Sequence, residues 1–188
     1  GDDIIHINNI IIEFAGNKDK SLYLNDRTSF DAYIEYKCND GRNGGIGIEV
    51  KYTENGYKIG DKESKDIDNP NGLYRIMTSK SGYFKNDFDI KTLIKADHIR
   101  QIWRNHLLGF AMINNNDIDM FHHIHLYPRN NSHFHNFAIP EYKKILSRKG
   151  EESFIAITYE DLFSLLRKYF VSEKQIKWIN YLTERYII

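Results

Sequence analysis

The stretch Gly44–Tyr52, GGIGIEVKY, combines an apolar strand pattern with two opposite charges. Successive side chains of a strand point to opposite faces, so Glu49 and Lys51, two positions apart, project on the same face. The alternating isoleucine, valine and tyrosine side chains occupy the other face. The pattern therefore predicts a strand with one apolar face and one face that carries a carboxylate beside an ammonium group.

The preceding segment, Ser29–Tyr36, predicts a second strand that pairs with the first. Its sequence SFDAYIEY alternates, which places Asp31 on one face. The opposite face carries Phe30, Ala32, Ile34 and Tyr36. The connection NDGRNGG is rich in residues that form hairpin turns. A hairpin would bring Asp31 to the side on which Glu49 and Lys51 project.

Glycines surround the charged pair at positions 44, 45 and 47. Glycine in a strand permits close approach by a ligand or another backbone, so two carboxylates and one lysine can converge there. A plain salt bridge on a solvated strand surface is the alternative interpretation. The chain contains 26 basic and 26 acidic residues, and a Glu-x-Lys pair is common in such a chain.

Two carboxylates and a lysine suit the hydrolysis of a phosphodiester bond. Hard carboxylate oxygens bind Mg²⁺ and leave coordination positions for water and a phosphate oxygen. The metal neutralises phosphate charge and lowers the pKa of its bound water. Lys51 can then position or activate the attacking water and stabilise charge in the transition state.

The same segments resemble a known family. SFDAYIEY followed by GIGIEVKYTE is similar to the Asp…Glu-x-Lys signature of the PD-(D/E)XK nuclease superfamily, which has the restriction-endonuclease-like fold. HIRQIWRNHLLGF and FIAITYEDLFSLL, further along the chain, resemble a group of bacterial restriction-endonuclease-like proteins. The likeness therefore covers most of the chain.

This resemblance implies roles for particular residues. Asp31 and Glu49 would bind Mg²⁺, for which Mn²⁺ can substitute, and the Val50 carbonyl would be a further ligand. Lys51 would be the catalytic lysine. The implied activity is that of a metal-dependent deoxyribonuclease, an endonuclease whose partner is DNA.

The resemblance extends to the predicted helix that follows the core strands. Gln101 resembles the polar residue that often faces the catalytic site from this helix and is included among the catalytic candidates. Two interpretations remain for Arg104, about one turn further along the helix: it contacts phosphate, or it is a surface or capping residue.

The family pattern is incomplete in this sequence. Phe30 stands at the first position of the motif in place of proline. The superfamily core begins with a helix that often carries a glutamate, and no helix is predicted before Ile4, so that helix would lie before Gly1. Glu13 is an alternative glutamate, but it lies in the predicted strand Ile4–Phe14.

The rest of the chain predicts alternating strands and helices. Further strands are predicted at Ile4–Phe14, Ile118–Tyr127 and Phe154–Ile157. A short helix and a turn are predicted at Leu73–Phe84. Helices are predicted at Ile90–Ile113, Glu141–Arg148, from the cap Thr158 to Tyr169, and after the capping pair Ser172 and Gln175. This order favours an α/β fold, a central mixed sheet flanked by helices in one domain spanning residues 1–188.

The segment Thr53–Gly72 is polar, charged and glycine-containing, which predicts a long mobile loop. It follows the candidate strand directly and carries Lys58, Lys62 and Lys65. Two interpretations remain open for it: a loop that closes on bound DNA, or a solvated insertion.

The histidines of FHHIHLYPRNNSHFH support a different hypothesis. His123 and His125 share one strand face, and a His-x-His pair can bind zinc when further ligands are present. Packing of aromatic and histidine side chains in the sheet is the alternative.

Composition limits the partners of the protein. The net charge is zero, so overall charge does not indicate nucleic acid. The single Cys38 cannot form an internal disulfide. No apolar run approaches a membrane span and no secretory leader is recognised, so a cytoplasmic protein is expected, with a homodimer as a further expectation. The alternative function is a catalytically silent module of the same fold that binds nucleic acid or protein.

Overall fold

The computed structural model describes residues 3–187, which form a mixed β-sheet flanked by helices. The strands of this part of the chain are β1 Ile4–Phe14, β2 Phe30–Cys38, β3 Asn43–Val50, β4 Met120–Tyr127 and β5 Phe154–Thr158. Its α-helices are α1 Asp61–Asp68, α2 Leu73–Ser81, α3 Asp97–Asn114, α4 Ile139–Ile145, α5 Arg148–Ser153, α6 Tyr159–Tyr169 and α7 Glu173–Tyr186. Short 3-10 helices lie at Lys20–Leu22 and Ile90–Ile94, and a π-helical turn lies at Phe134–Ala138. The predicted α/β fold class is confirmed.

The five strands follow the order of the sequence across the sheet. β1, β2 and β3 are antiparallel neighbours, and β3, β4 and β5 are parallel. The hairpin between β2 and β3 turns at Gly41, whose φ of 88° is readily adopted only by glycine. Parallel strands need long crossover connections, and the crossover between β3 and β4 contains α1, α2 and α3. This topology places β3 and β4 beside α3.

The helix α3 packs against one face of the sheet and forms the centre of the main core. Trp103 and Leu107 are fully buried within this core. Gly109 lies so close to the ring of Phe121 in β4 that any side chain at position 109 would clash with it. The core face of α3 therefore depends on large apolar groups and on one residue with no side chain.

The helix predicted at Ile90–Ile113 is divided into two parts. A 3-10 helix ends at Ile94, and α3 begins at Asp97. The buried guanidinium of Arg100 donates a hydrogen bond of 2.7 Å to the Leu93 carbonyl, which satisfies an acceptor at the end of the first part. The hydrophobic period continues through the break, which is why the sequence predicted one helix.

Other boundaries differ from the predictions by a few residues. The predicted helix Glu141–Arg148 is replaced by two short helices, α4 and α5, with Ser147 capping the second. The Thr158 cap and the capping box of Ser172 with Gln175 are confirmed. Local cap chemistry was therefore predicted more accurately than the ends of short helices.

The glycines of β3 lie beneath aromatic rings. A side chain at Gly45 would clash with Tyr33, and one at Gly47 would clash with Phe30. Phe30 was predicted to lie on the opposite face from Tyr33, but its ring packs 6.1 Å from that of Tyr33. Phe30 is the first residue of β2, and next to it the Asp31 side chain accepts a hydrogen bond from the Val50 N–H. These glycines thus make room for core aromatics.

The segment Thr53–Gly72 is not a structureless loop. It contains α1, and Ile67 of this helix is fully buried in the core. Before the helix, the guanidinium groups of Arg100 and Arg104 lie over the ring of Tyr57, at 4.9 and 5.2 Å from its centroid. The prediction of a long loop was therefore wrong, because buried contacts with α3 order a polar sequence.

The other face of the sheet is less covered than the face against α3. Ile10 and Ile12 of β1 are strongly exposed, and Ile34, Ile48 and Ile124 are only partly buried. Among residues 3–187, no helix is both long enough and apolar enough to cross a membrane.

Candidate active site

Glu49 and Lys51 lie at the carboxyl end of β3, beneath the helix α3. Their side chains are buried, with the two residues 2% and 9% exposed. The ammonium group of Lys51 donates a hydrogen bond to Oε1 of Glu49. Burial raises the pKa of the Glu49 carboxyl, although the charge of Lys51 opposes this effect. The sequence prediction that these two groups share a face is confirmed.

Asp31 lies at the same end of the sheet, on the neighbouring strand β2. Its Oδ2 accepts a hydrogen bond of 2.6 Å from the backbone N–H of Val50. The residue is exposed, whereas Glu49 is buried. The negative charge of Asp31 contributes to the raised pKa of Glu49, as expected for nearby carboxylates. The structure therefore brings together the two carboxylates that the hairpin predicted.

Two amide side chains of α3 complete the surroundings of Glu49. Gln101 Nε2 donates to Oε1 at 2.5 Å, and Asn105 Nδ2 donates to Oε2 at 2.6 Å. Together with Lys51, these groups provide three hydrogen bonds to one carboxylate. The predicted orientation of Gln101 toward the strand end is confirmed, and both carboxylate oxygens are fixed by protein donors.

Asn105 was not among the residues predicted for the site. It is almost completely buried and lies four residues after Gln101, on the same face of α3. The signal was present in the sequence as an amide one turn from another amide. It was missed because a polar residue on that face can equally point to solvent, and only the packing of α3 shows that Asn105 points to Glu49.

Arg104 has other partners. Its guanidinium lies 3.3 Å from a carboxylate oxygen of Glu63 and 3.8 Å from one of Asp26, and it covers the ring of Tyr57. A phosphate contact by Arg104 stays a prediction, and it would compete with these two carboxylates.

The oxygen atoms at this end of the sheet are of the type that binds a hard cation such as Mg²⁺. Asp31 and Glu49 supply carboxylate oxygens, and the Val50 carbonyl lies at the same strand end. In the described part of the chain, no three histidine, cysteine, aspartate or glutamate side chains are grouped to hold a metal. Mg²⁺ usually keeps several waters and takes one or two protein carboxylates, so two carboxylates are sufficient for it. Glu13, the alternative glutamate considered in the sequence, is exposed in β1 and has a φ of 54°.

The histidine pair of β4 is unsuited to zinc. His123 and His125 are completely buried and lie among aromatic rings, including Phe154 and Phe134. Burial lowers the pKa of His123 to about 3 and that of His125 well below its usual value. Tetrahedral zinc needs further ligands, and residues 3–187 contain no suitable group of them. The packing interpretation of these histidines is therefore favoured.

The sequence matches the model of a known protein family. A family model described as the PD-(D/E)XK nuclease superfamily matches residues 1–188, the whole sequence. The chain belongs to the PD-(D/E)XK nuclease superfamily. PD-(D/E)XK nucleases typically use divalent metal ions. Comparisons with curated proteins and with solved structures found no significant match.

Proposed function

We propose that this PD-(D/E)XK protein is a Mg²⁺-dependent DNA endonuclease formed by a single domain. Asp31 and Glu49, with the carbonyl of Val50, would hold the metal, and Lys51 and Gln101 would complete the catalytic site. The observation that carries this proposal is the buried carboxylate of Glu49, which is fixed by a lysine and two amides at a strand end that also presents an exposed aspartate.

Two features of the protein suit this site to catalysis. Donors on both oxygens hold the Glu49 carboxylate in one orientation, so its position need not be reorganised during the reaction. Asp31 remains exposed and can be reached by solvent and substrate. A bound divalent ion would neutralise phosphate charge and lower the pKa of a coordinated water. Lys51 supplies a fixed positive charge next to the carboxylates, which stabilises negative charge that develops on the phosphate.

DNA is proposed as the substrate because the chain belongs to a nuclease superfamily. The zero net charge means that attraction of DNA must come from local groups. Such an enzyme would act in the cytoplasm. As a homodimer it would carry two sites, one for each strand of a duplex.

A catalytically silent module is the second candidate. The specific observation in its favour is that protein donors already occupy both oxygens of Glu49. A buried ion pair with only a structural role would have the same hydrogen bonds, so activity must be measured.

We expect the full chain to cleave DNA only when Mg²⁺ or Mn²⁺ is present. The assay follows supercoiled, linear and single-stranded DNA during a titration of each metal, with EDTA as the metal-free control. Asp31→Asn should lower the rate by roughly 100-fold or more and raise the metal concentration required, because one charged ligand is lost. Asp40→Asn is the matched control, since Asp40 lies in the exposed β2–β3 turn and bonds Arg42. DNA binding without cleavage by the unmodified chain would favour the silent module.

Asn105→Ala is expected to lower the cleavage rate by roughly 10- to 100-fold, the usual effect of losing a group that orients a metal ligand. The substitution leaves Oε2 of Glu49 buried without its amide donor, which should also lower the free energy of unfolding by about 1–3 kcal/mol. Cleavage as a function of metal concentration and chemical denaturation measure the two effects. Asn114→Ala, at the exposed end of α3, serves as the control. An unchanged rate and metal dependence would show that Asn105 only packs the helix.

A further inference from the structure

The exposed side of α7 carries a stripe of basic and aromatic side chains. Its members are Lys174, Trp178, Tyr181 and Arg185. Spacings of four, three and four residues place them on one side of the helix. Trp178 is 51% exposed and Tyr181 is 53% exposed. The guanidinium of Arg185 lies 6.0 Å from the ring centroid of Tyr181 and donates 2.8 Å to its hydroxyl oxygen. We call these four residues the α7 stripe.

The α7 stripe is separate from the packed side of the helix. Ile179 is buried in a small core with Tyr159 and Phe163 of α6. Leu182 and Tyr186 pack against the same core. The two helices therefore hold together through other residues, although Trp178 has one aromatic neighbour in Phe170 at 6.0 Å. A half-exposed tryptophan and tyrosine are left available on the surface.

The charges around the α7 stripe suit an anionic partner. Lys174 and Arg185 lie at its two ends, so the rings are flanked by positive charge. Glu173 forms an ion pair of 2.6 Å with Lys177 beside the stripe. Glu184, adjacent to Arg185 in sequence, projects about 100° away around the helix.

The hairpin of α6 and α7 is joined to the strand that carries the candidate site. The hydroxyl of Tyr159 donates 3.0 Å to the Lys51 carbonyl. The ring of Tyr186 meets that of Tyr52 edge-on at 5.9 Å, and Tyr52 directly follows Lys51. A ligand on the α7 stripe would thus bind a helix that is packed on the end of the candidate strand.

We propose that the α7 stripe binds single-stranded DNA, with unpaired bases stacked on Trp178 and Tyr181 and phosphates held by Lys174 and Arg185. Exposed aromatic rings between cations are the combination that binds single strands, because every base has a face that can stack. Bases in a duplex are already stacked on one another, so the rings favour an unpaired strand. The choice of DNA rests on the proposed nuclease function, which this surface extends to a strand-binding site.

The test measures DNA binding in the full chain carrying Lys51→Ala, without divalent metal, so that the probe is not cut. A labelled single-stranded oligonucleotide of about 12 nucleotides of mixed sequence is followed by fluorescence anisotropy. Adding Trp178→Ala or Tyr181→Ala should weaken binding by roughly 5- to 100-fold each. Adding Lys174→Ala with Arg185→Ala should weaken binding. The slope of log affinity against log salt concentration should become shallower by about 1.4, because two phosphate contacts are lost. Tyr169, which is exposed on α6 outside the stripe, provides the matched control Tyr169→Ala.

Tryptophan emission gives a second measurement. The only other tryptophan, Trp103, is fully buried, so quenching of emission by the oligonucleotide should report Trp178 and disappear in Trp178→Phe. Unchanged affinity in both aromatic variants, or an equal loss in the Tyr169→Ala control, would overturn the proposal. So would self-association that Trp178→Ala abolishes while DNA binding is retained, since the stripe would then be a protein contact. Absence of cleavage by the unmodified chain would count against the nuclease proposal and leave this binding result unaffected.

Discussion

Lys51→Ala is expected to lower the rate of DNA cleavage by about three orders of magnitude, the scale for losing a positioned catalytic charge. The physical reason is that Lys51 is held against the buried carboxylate of Glu49, where water does not screen its charge. Single-turnover cleavage at saturating Mg²⁺ measures the effect on the chemical step. Anisotropy with uncut duplex DNA should show affinity within about twofold of the parent, because this one buried lysine is a small part of a DNA contact.

Lys80→Ala is the matched control for this prediction. Lys80 is an exposed lysine in α2, so its loss removes the same charge from the surface. Its cleavage rate should remain within about twofold of the parent, because a screened surface charge contributes little. A Lys51→Ala protein that folds normally and cleaves DNA at the parental rate would exclude Lys51 from the chemistry.

Acidification from pH 7 to pH 5 is expected to destabilise the fold strongly, because three histidines are buried. Burial lowers the pKa of His123 to about 3, and it lowers the pKa values of His106 and His125 well below their usual range. Below pH 6.5 the unfolded chain binds these protons and the folded protein does not, so stability falls as pH falls. Each histidine contributes up to about 1.4 kcal/mol per pH unit, and three contribute about 4.

A loss of this size is large beside a total stability of about 5–15 kcal/mol. The midpoint of thermal unfolding, followed by circular dichroism, should fall by roughly 8–16 °C per pH unit once the unfolded histidines are protonated. The raised pKa of Glu49 acts in the opposite direction, because the folded protein takes up that proton first, but one carboxylate does not offset three histidines.

His123→Phe separates the histidine effect from general acid sensitivity. The new ring can occupy the space beside Phe154, on which His123 already stacks at 5.5 Å. The slope of stability against pH should become shallower by about 1.4 kcal/mol per unit. Phe163→Leu, in the small core between α6 and α7, should lower stability equally at every pH. A parent protein whose stability is the same at pH 7 and pH 5 would contradict the prediction.

Residue patterns alone are enough to predict the strands that carry the candidate site. Alternation over Ser29–Tyr36 and Gly44–Tyr52 and the turn residues between them are local properties, so they placed Asp31, Glu49 and Lys51 at one end of a hairpin. The helix caps at Thr158 and Ser172 were determined in the same way, because a cap involves only neighbouring residues.

Residue patterns do not predict which polar groups are buried or what those groups contact, because both depend on the packing of the folded chain. Asn105 reaches Glu49 across 56 positions of sequence, and the buried contacts of Ile67 order a segment that is mostly polar. His123 and His125 of β4 lie in the core, whereas Trp178 and Tyr181 of α7 are about half exposed. Burial is set by elements from distant parts of the chain packing together, which residue periodicity cannot specify.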